Sequence, residues 1–334
     1  MKDYEIQVLD QYDMNVNSTR KTRGAVLCET SEGLLLLQKL GTSAKRIPIL
    51  ERIHTHLQEN GYERIDAFVK NKNMETISET EDGEKYVLKH WYGGRECDTR
   101  REEEILIGVR NLAMLHRILQ NVDFTLGIED APVLEQEDLK SQYQRHNREM
   151  KKVRAFIRKQ VCKGEFELLF LKSFDRMYDV AQGVTARLES SAYDSLSQRS
   201  REKHTYIHGD YNYHNLLLCG RDVATTNFEH FRQSMQIQDL YYFMRKVMEK
   251  NHWNARIGFR MLGEYQKVLP LEKAEQEQLA ICLAYPEKFW KSANSYYRSS
   301  KVWMPMKTAE KLEMAIQQVE EKKQFLEQIF AFHL

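Results

Sequence analysis

Near residue 92 the sequence changes character, and that change limits what the chain can become. Before it, short apolar runs alternate with turns. Ala25–Thr30 and Gly33–Leu40 read as strands joined by Ser31-Glu32-Gly33, a hairpin signal. Pro48 opens a helical pattern in which Ile49, Ile53, His56 and Leu57 share one face, and Asn60-Gly61 ends it. Two further strands are expected at Met74–Glu79 and Lys85–Trp91, around the turn Glu81-Asp82-Gly83. After Trp91-Tyr92-Gly93-Gly94 nearly everything is helical. The exceptions are residues 206–215 and the apolar runs Leu216–Cys219 and Val223–Thr226, which flank Gly220-Arg221-Asp222. The pattern predicts an α+β chain in two lobes: a small mixed-sheet lobe over 1–92 and a mainly helical lobe over 93–334.

Composition removes several classes of function. In 334 residues, 50 basic and 49 acidic side chains leave a net charge of +1, so no overall field draws the molecule to nucleic acid or an anionic membrane. No basic start is followed by an apolar run, and no window of about 18 apolar residues occurs, which favours cytosolic synthesis and no membrane partner. The five cysteines show no C-x-x-C spacing, so neither a zinc site nor a disulfide framework is expected. Leu139–Val161 carries many cations beside the apolar stripe Val153, Phe156 and Ile157, and reads as a solvated helix face rather than a nucleic-acid surface. The helix expected over Lys307–Phe332 ends in Phe325, Leu326, Ile329 and Phe330, a cluster suited to docking on the body.

The non-helical stretch YIHGDYNYHNLLL, residues 206–218, carries the chemistry. Phosphoryl transfer needs a carboxylate to accept a hydroxyl proton, polar groups around the phosphates and metal ions to neutralise charge. Asp210 supplies the carboxylate. Asn215, five residues on, offers a carbonyl oxygen to magnesium, a hard ion that prefers oxygen ligands. A loop suits both, because each must project without helical neighbours in the way. His208 is expected to brace this loop by hydrogen bonding, Tyr213 to pack beneath it, and Tyr211 to line an acceptor pocket.

Several separated stretches resemble one known group. Leu35-Leu36-Leu37-Gln38-Lys39 is similar to a strand ending in a phosphate-binding lysine, and Leu112-Ala113-Met114-Leu115-His116 to an L-A-x-L-H helix. Residues 208–215 resemble a catalytic loop, Asn227-Phe228-Glu229 a D-F-[DE] metal motif, and Asp239-Leu240 the opening of the next helix. Together they resemble the aminoglycoside phosphotransferase and choline kinase superfamily, with its protein-kinase-like fold. Within it, Trp91-Tyr92-Gly93-Gly94-Arg95-Glu96-Cys97-Asp98 and residues 239–250 are most similar to the CotS family of spore coat proteins.

The resemblance implies Asp210 as the catalytic group, and Lys39, Glu51 and Trp91 around a nucleotide. It implies Asn215, Asn227 and Glu229 at a metal, with His208 and Asp239 as structural support. Lys39 either meets phosphate or points to water; Glu51 is the candidate partner because it is the only carboxylate between Pro48 and Leu57. Arg95, Glu96 and Asp98 either contact nucleotide or form local ion pairs. Asp239 is expected to cap its helix.

Two departures matter. Asn227 is neutral where the motif carries Asp. Two unit charges about 4 Å apart interact by roughly 4 kcal/mol at an effective dielectric of 20, so losing that carboxylate weakens a divalent ion's hold. The stretch where a glycine-rich phosphate loop would lie, residues 15–25, holds only Gly24, with Arg20, Lys21 and Arg23 as substitutes. ATP and Mg2+ are therefore expected to bind weakly. The resemblance implies a protein made in the cytoplasm and placed in the spore coat, with other coat proteins as partners. It is either a kinase-like scaffold of little or no activity, or an ATP- and magnesium-dependent phosphotransferase acting on a small hydroxyl compound or sugar.

Overall fold

The computed structural model describes residues 3–22, 24–128, 134, 138–220, 222–298 and 306–333. Arg23 and Arg221 lie outside them. The chain forms two compact units, 1–134 with 203–233, and 135–202 with 234–334.

The first unit is built on a sheet. Helix α1 (Asp3–Leu9) precedes strands β1 (Val16–Thr22), β2 (Ala25–Thr30) and β3 (Gly33–Lys39). Helix α2 (Ile47–Glu59) follows, then β4 (Phe68–Val69), β5 (Ile77–Glu79) and β6 (Lys85–His90). The order is β1-β2-β3-β6-β4, with β5 also on β6, and every pairing is antiparallel where a mixed sheet was expected. Residues 16–22, read from sequence as a phosphate-covering loop, pair with β2 as an edge strand; β-branched Val16, Thr19 and Thr22 suit that role.

Alternation sorts the sheet's side chains between two faces. Val26, Cys28, Leu35, Leu37 and Leu88 form a core with Val8, Leu9 and Tyr12. Leu36 lies directly opposite Lys89, so these two share the other face, while Lys39 lies opposite Tyr86 on the first. Helix α2 begins at Ile47 with Pro48 in its first turn and buries Ile49, Leu50, Ile53, His54 and Leu57.

The rest of the unit supplies the loop. Strand β7 (Arg95–Glu96) and helix α3 (Glu102–Ile118) come first. Past the second unit's first helices come β8 (Tyr206–Ile207), β9 (Leu216–Cys219), β10 (Asp222–Thr225) and β11 (Arg232–Gln233). These make the sheets β10-β9-β7 and β11-β8. Ion pairs expected after residue 94 are present between Arg95 and Glu104 and between Asp98 and Arg100 at 2.8 Å, and Glu96 lies 2.5 Å from the His214 ring in a hydrogen bond.

The second unit is helical: α4 (Leu139–Lys159), α5 (Glu165–Ser190), α6 (Tyr193–Glu202), α7 (Ile237–Met248), α8 (Ala255–Gln266), α9 (Lys273–Ala284), α10 (Glu287–Arg298), α11 (Met306–Gln317) and α12 (Val319–Phe330). Asp138 caps α4 by accepting from the Ser141 amide at 2.9 Å. The single helix expected over 307–332 is broken at Gln318 into α11 and α12. Phe325 and Leu326 are buried, and the Phe325 ring fills the space over Gly258 of α8. Among the described residues, no helix is long and apolar enough to cross a membrane.

Gly258 gives a test of this packing. Replacing an interior helical glycine by alanine ordinarily stabilises by about 0.5–1 kcal/mol. Here an added Cβ would lie 2.3 Å from the Phe325 ring. Gly258→Ala is expected to destabilise by about 1–3 kcal/mol in urea denaturation, through overpacking. A gain in stability would show that the α8–α12 contact is looser than described.

Candidate functional site

Strand β8 delivers the chain to a tight turn. Gly209 has φ +83°, and a Cβ there would lie 2.1 Å from the His230 carbonyl oxygen, so only glycine fits. His208 is fully buried; its Nε2 is 2.9 Å from the Thr226 carbonyl oxygen and donates to it. That leaves Nδ1 to accept from the Asp210 amide at 3.2 Å, which fixes the tautomer and the turn together.

Amides hold the Asp210 carboxylate on both sides. Asn212 Nδ2 donates to Oδ1 at 3.1 Å and Asn215 Nδ2 to Oδ2 at 3.0 Å. Asn215 in turn accepts at Oδ1 from Asn227 Nδ2 at 2.7 Å. Three of the expected site residues, Asp210, Asn215 and Asn227, thus form one hydrogen-bonded relay. Asn227 sits in the left-handed region (φ 67°, ψ 58°), where asparagine is better tolerated than most side chains. Its backbone N–H donates to Asp66 Oδ2 at 2.9 Å.

Asp66 leads to a group that sequence reasoning missed. Lys89, on β6, is 2% exposed; it contacts Asp66 Oδ2 at 3.1 Å and makes a closer ion pair with Glu229. Burial pulls the Lys89 pKa down, but the charges of Asp66 and Glu229 outweigh it and hold the ammonium above its ordinary value. Burial raises Glu229, yet Lys89 wins and leaves its carboxyl below the usual range. For Asp66 burial prevails, and its pKa is raised. His54 of α2 packs on Phe68 and Phe228, with neither ring nitrogen hydrogen-bonded. Burial, reinforced by the Lys89 charge, pushes it down to about 3, so it is neutral at pH 7.

Other expected residues lie elsewhere. Lys39 and Glu51 are not partners: Lys39, 61% exposed, pairs with Glu84, and Glu51 pairs with Lys70 at 3.1 Å. One residue of strand parity decides this, because Gln38 and Leu36 occupy the face that Lys89 shares and Lys39 faces away. Trp91 is half-buried, and its backbone N–H donates to the Leu34 carbonyl oxygen at 2.9 Å. Tyr211 is buried and hydrogen-bonds the Gly108 carbonyl at 2.7 Å, so it lines no acceptor pocket. Asp239 is in the first turn of α7, whose cap position belongs to Gln236.

Lys89 and Asp66 left traces in the sequence. Lys89 interrupts the apolar run Tyr86-Val87-Leu88, and Asp66 stands between Ile65 and Ala67. A charge inside an apolar run marks a buried pair when two such runs meet.

The residues present do not fit a magnesium ion as they are arranged. The ion favours one or two carboxylates along with substrate phosphates. Asn227 turns its N–H toward Asn215, Glu229 is held by Lys89, and both Asp210 oxygens already accept hydrogen bonds. Among the described residues, no three or more His, Cys, Asp and Glu side chains are grouped to hold a metal.

The whole chain has recognisable relatives. The family model described as "Spore coat putative kinase YutH" matches residues 5–329. An aminoglycoside phosphotransferase from Alicyclobacillus acidocaldarius superposes with a TM-score of 0.83 at 18% identity, covering 96% of this chain and 94% of that one. A spectinomycin phosphotransferase in its AMP-bound complex gives 0.67 at 9% identity, covering 96% and 97%. An amicoumacin kinase in complex with AMP-PNP and Ca2+ gives 0.62 at 10%, covering 96% and 94%. These likenesses establish a two-lobed kinase-like α+β fold. No curated protein matches the chain.

Removing one partner of a buried ion pair strands the other charge and costs about 3–5 kcal/mol. Lys89→Met is expected to lose that much in chemical denaturation, whereas Lys39→Met should behave as a neutral surface substitution. Equal effects at the two positions would remove Lys89 from the centre of the site.

Proposed function

The chain belongs to the YutH family of spore coat putative kinases, and on that premise we propose that it is a kinase-like component of the coat with little or no phosphotransferase activity. The observation that carries this reading is the commitment of Lys89 to Asp66 and Glu229. A kinase cleft pairs its phosphate-binding lysine with a helix glutamate and keeps the carboxylates of the metal motif free for the ion. Here the contact with Lys89 occupies one of them, Glu229. The relay from Asn227 through Asn215 to Asp210 engages these three side chains with one another without a divalent ion.

In this role the fold serves contact with other coat proteins, and the geometry of the loop is structural. His208, Gly209 and the two asparagines keep the turn rigid through hydrogen bonds that need no substrate. Asp210 supports the one competing reading, a phosphotransferase acting on a small hydroxyl compound with ATP and Mg2+, because its carboxylate is only half-buried and oriented from both sides. Under that reading Asp210→Ala abolishes turnover of an identified acceptor.

Thermal shift with ATP, with and without Mg2+, separates the two. A ligand present below its Kd stabilises by less than RT ln 2, about 0.4 kcal/mol, and the shift expected is therefore at most about 1–2 °C. A metal-dependent rise of several degrees would sink the scaffold reading. Asn227→Asp restores an anionic ligand beside Asn215, and is expected to make nucleotide binding magnesium-dependent and at least tenfold tighter. Unchanged binding in that variant would mean that the loop does not retain the layout of a phosphate site.

A further inference from the structure

The second unit holds a cationic cavity that none of the chemistry above uses. It lies among α5, α7, α10, α11 and α12, and its volume is about 40 Å3. Three cations line it: Arg245 of α7, Lys288 of α10 and Lys322 of α12. Two carboxylates also line it, Glu249 and Glu287, and both are engaged. Glu249 accepts from Arg245 Nη1 at 2.8 Å, and Glu287 pairs with Lys291 at 3.2 Å.

The two amines are left with neutral partners among the described residues. Lys322 Nζ donates to the Tyr285 carbonyl oxygen at 2.8 Å and lies 5.3 Å from the centre of the Trp253 ring. Lys288 Nζ is 3.2 Å from the Met314 sulfur. Among the described residues neither has a carboxylate within ion-pair distance, and Glu249 and Glu287 act on them only from farther off. Arg245 is 4% exposed, and its Nε is buried without a hydrogen-bond partner.

A charge withdrawn from water without a counter-charge is costly, and the response is either a shift in protonation or an opposite charge. The amines show the first response. Burial, opposed by the Glu249 charge and helped by that of Arg245, pushes the Lys322 amine down to about 7, and burial also lowers Lys288. An anion in the cavity supplies the second.

Size limits which anion enters. One water needs about 10–15 Å3 of such space, so about 40 Å3 takes roughly three water-sized groups, the two oxygens and the methyl of acetate around their shared carbon. A nucleotide is far too large, and tetrahedral phosphate is crowded. The apolar wall of Trp253, Met177 and Phe289 suits a short alkyl stem behind the charged group. We propose that this cavity binds a small carboxylate, held between the Lys322 and Lys288 ammonium groups beside Arg245. The proposal is independent of the reading of the Asp210 loop.

The test is a thermal-shift titration of the full chain with sodium acetate, with sodium phosphate and sodium chloride run at matched ionic strength. Acetate is expected to give a saturable rise in Tm, with phosphate at least tenfold weaker and chloride without a saturable effect. Lys322→Met should weaken acetate at least tenfold, and Lys288→Met is the second variant should the first not fold. A saturable phosphate response equal to acetate overturns the carboxylate assignment. No saturable acetate response, or one unchanged in both variants, overturns the site.

Discussion

The buried ammonium of Lys89 is the constraint on which the first unit's loop depends. It stands between Asp66 and Glu229, and through Asp66 it fixes the backbone N–H of Asn227. One strand, one connecting segment and one short turn are thus tied at a single charge. Desolvating such a group is expensive, and it persists only because two carboxylates surround it. The same two carboxylates take two of the ammonium's three N–H donors and offset the charge it would offer a phosphate. Stability of the turn and recognition of a nucleotide compete for one side chain, and here the turn holds it.

The amide relay tells the same story in neutral groups. In a working metal site, acceptor oxygens converge on an ion. Here a donor N–H at Asn227 points to Asn215, whose own N–H points to Asp210, so donors and acceptors cancel in sequence. The left-handed backbone at Asn227 suits asparagine and needs no bound ligand. A kinase-like fold can therefore keep the loop's shape with the chemistry internally satisfied, which accords with a family tied to the spore coat.

Much of this was legible in the sequence. The change of pattern at residue 92 announced a sheet followed by helices, and the spacing of Asp210, Asn215 and Asn227 announced residues that do meet. Strand parity hid the rest. Lys39 ends an apolar strand, and sequence alone does not say which face its last residue takes; pairing with Tyr86 settles that. Glu51 was selected by elimination within its helix, yet His54 is the α2 residue beside Lys89, because helix rotation relative to the sheet is fixed by tertiary packing. Asp66 and Lys89 are 23 positions apart and become partners only when strand and loop are assembled. The compact units likewise follow contacts made at long separation, so that residues 203–233 join the first unit.

The most direct test is to observe the Lys89 ammonium by NMR, using 15N-lysine labelling with Lys89→Met for assignment. Two carboxylate partners and near-complete burial should protect its protons from exchange and leave its resonance unmoved when ATP and Mg2+ are added. A resonance that exchanges freely, or that shifts on nucleotide addition, would show that Lys89 is available to phosphate and would contradict the account.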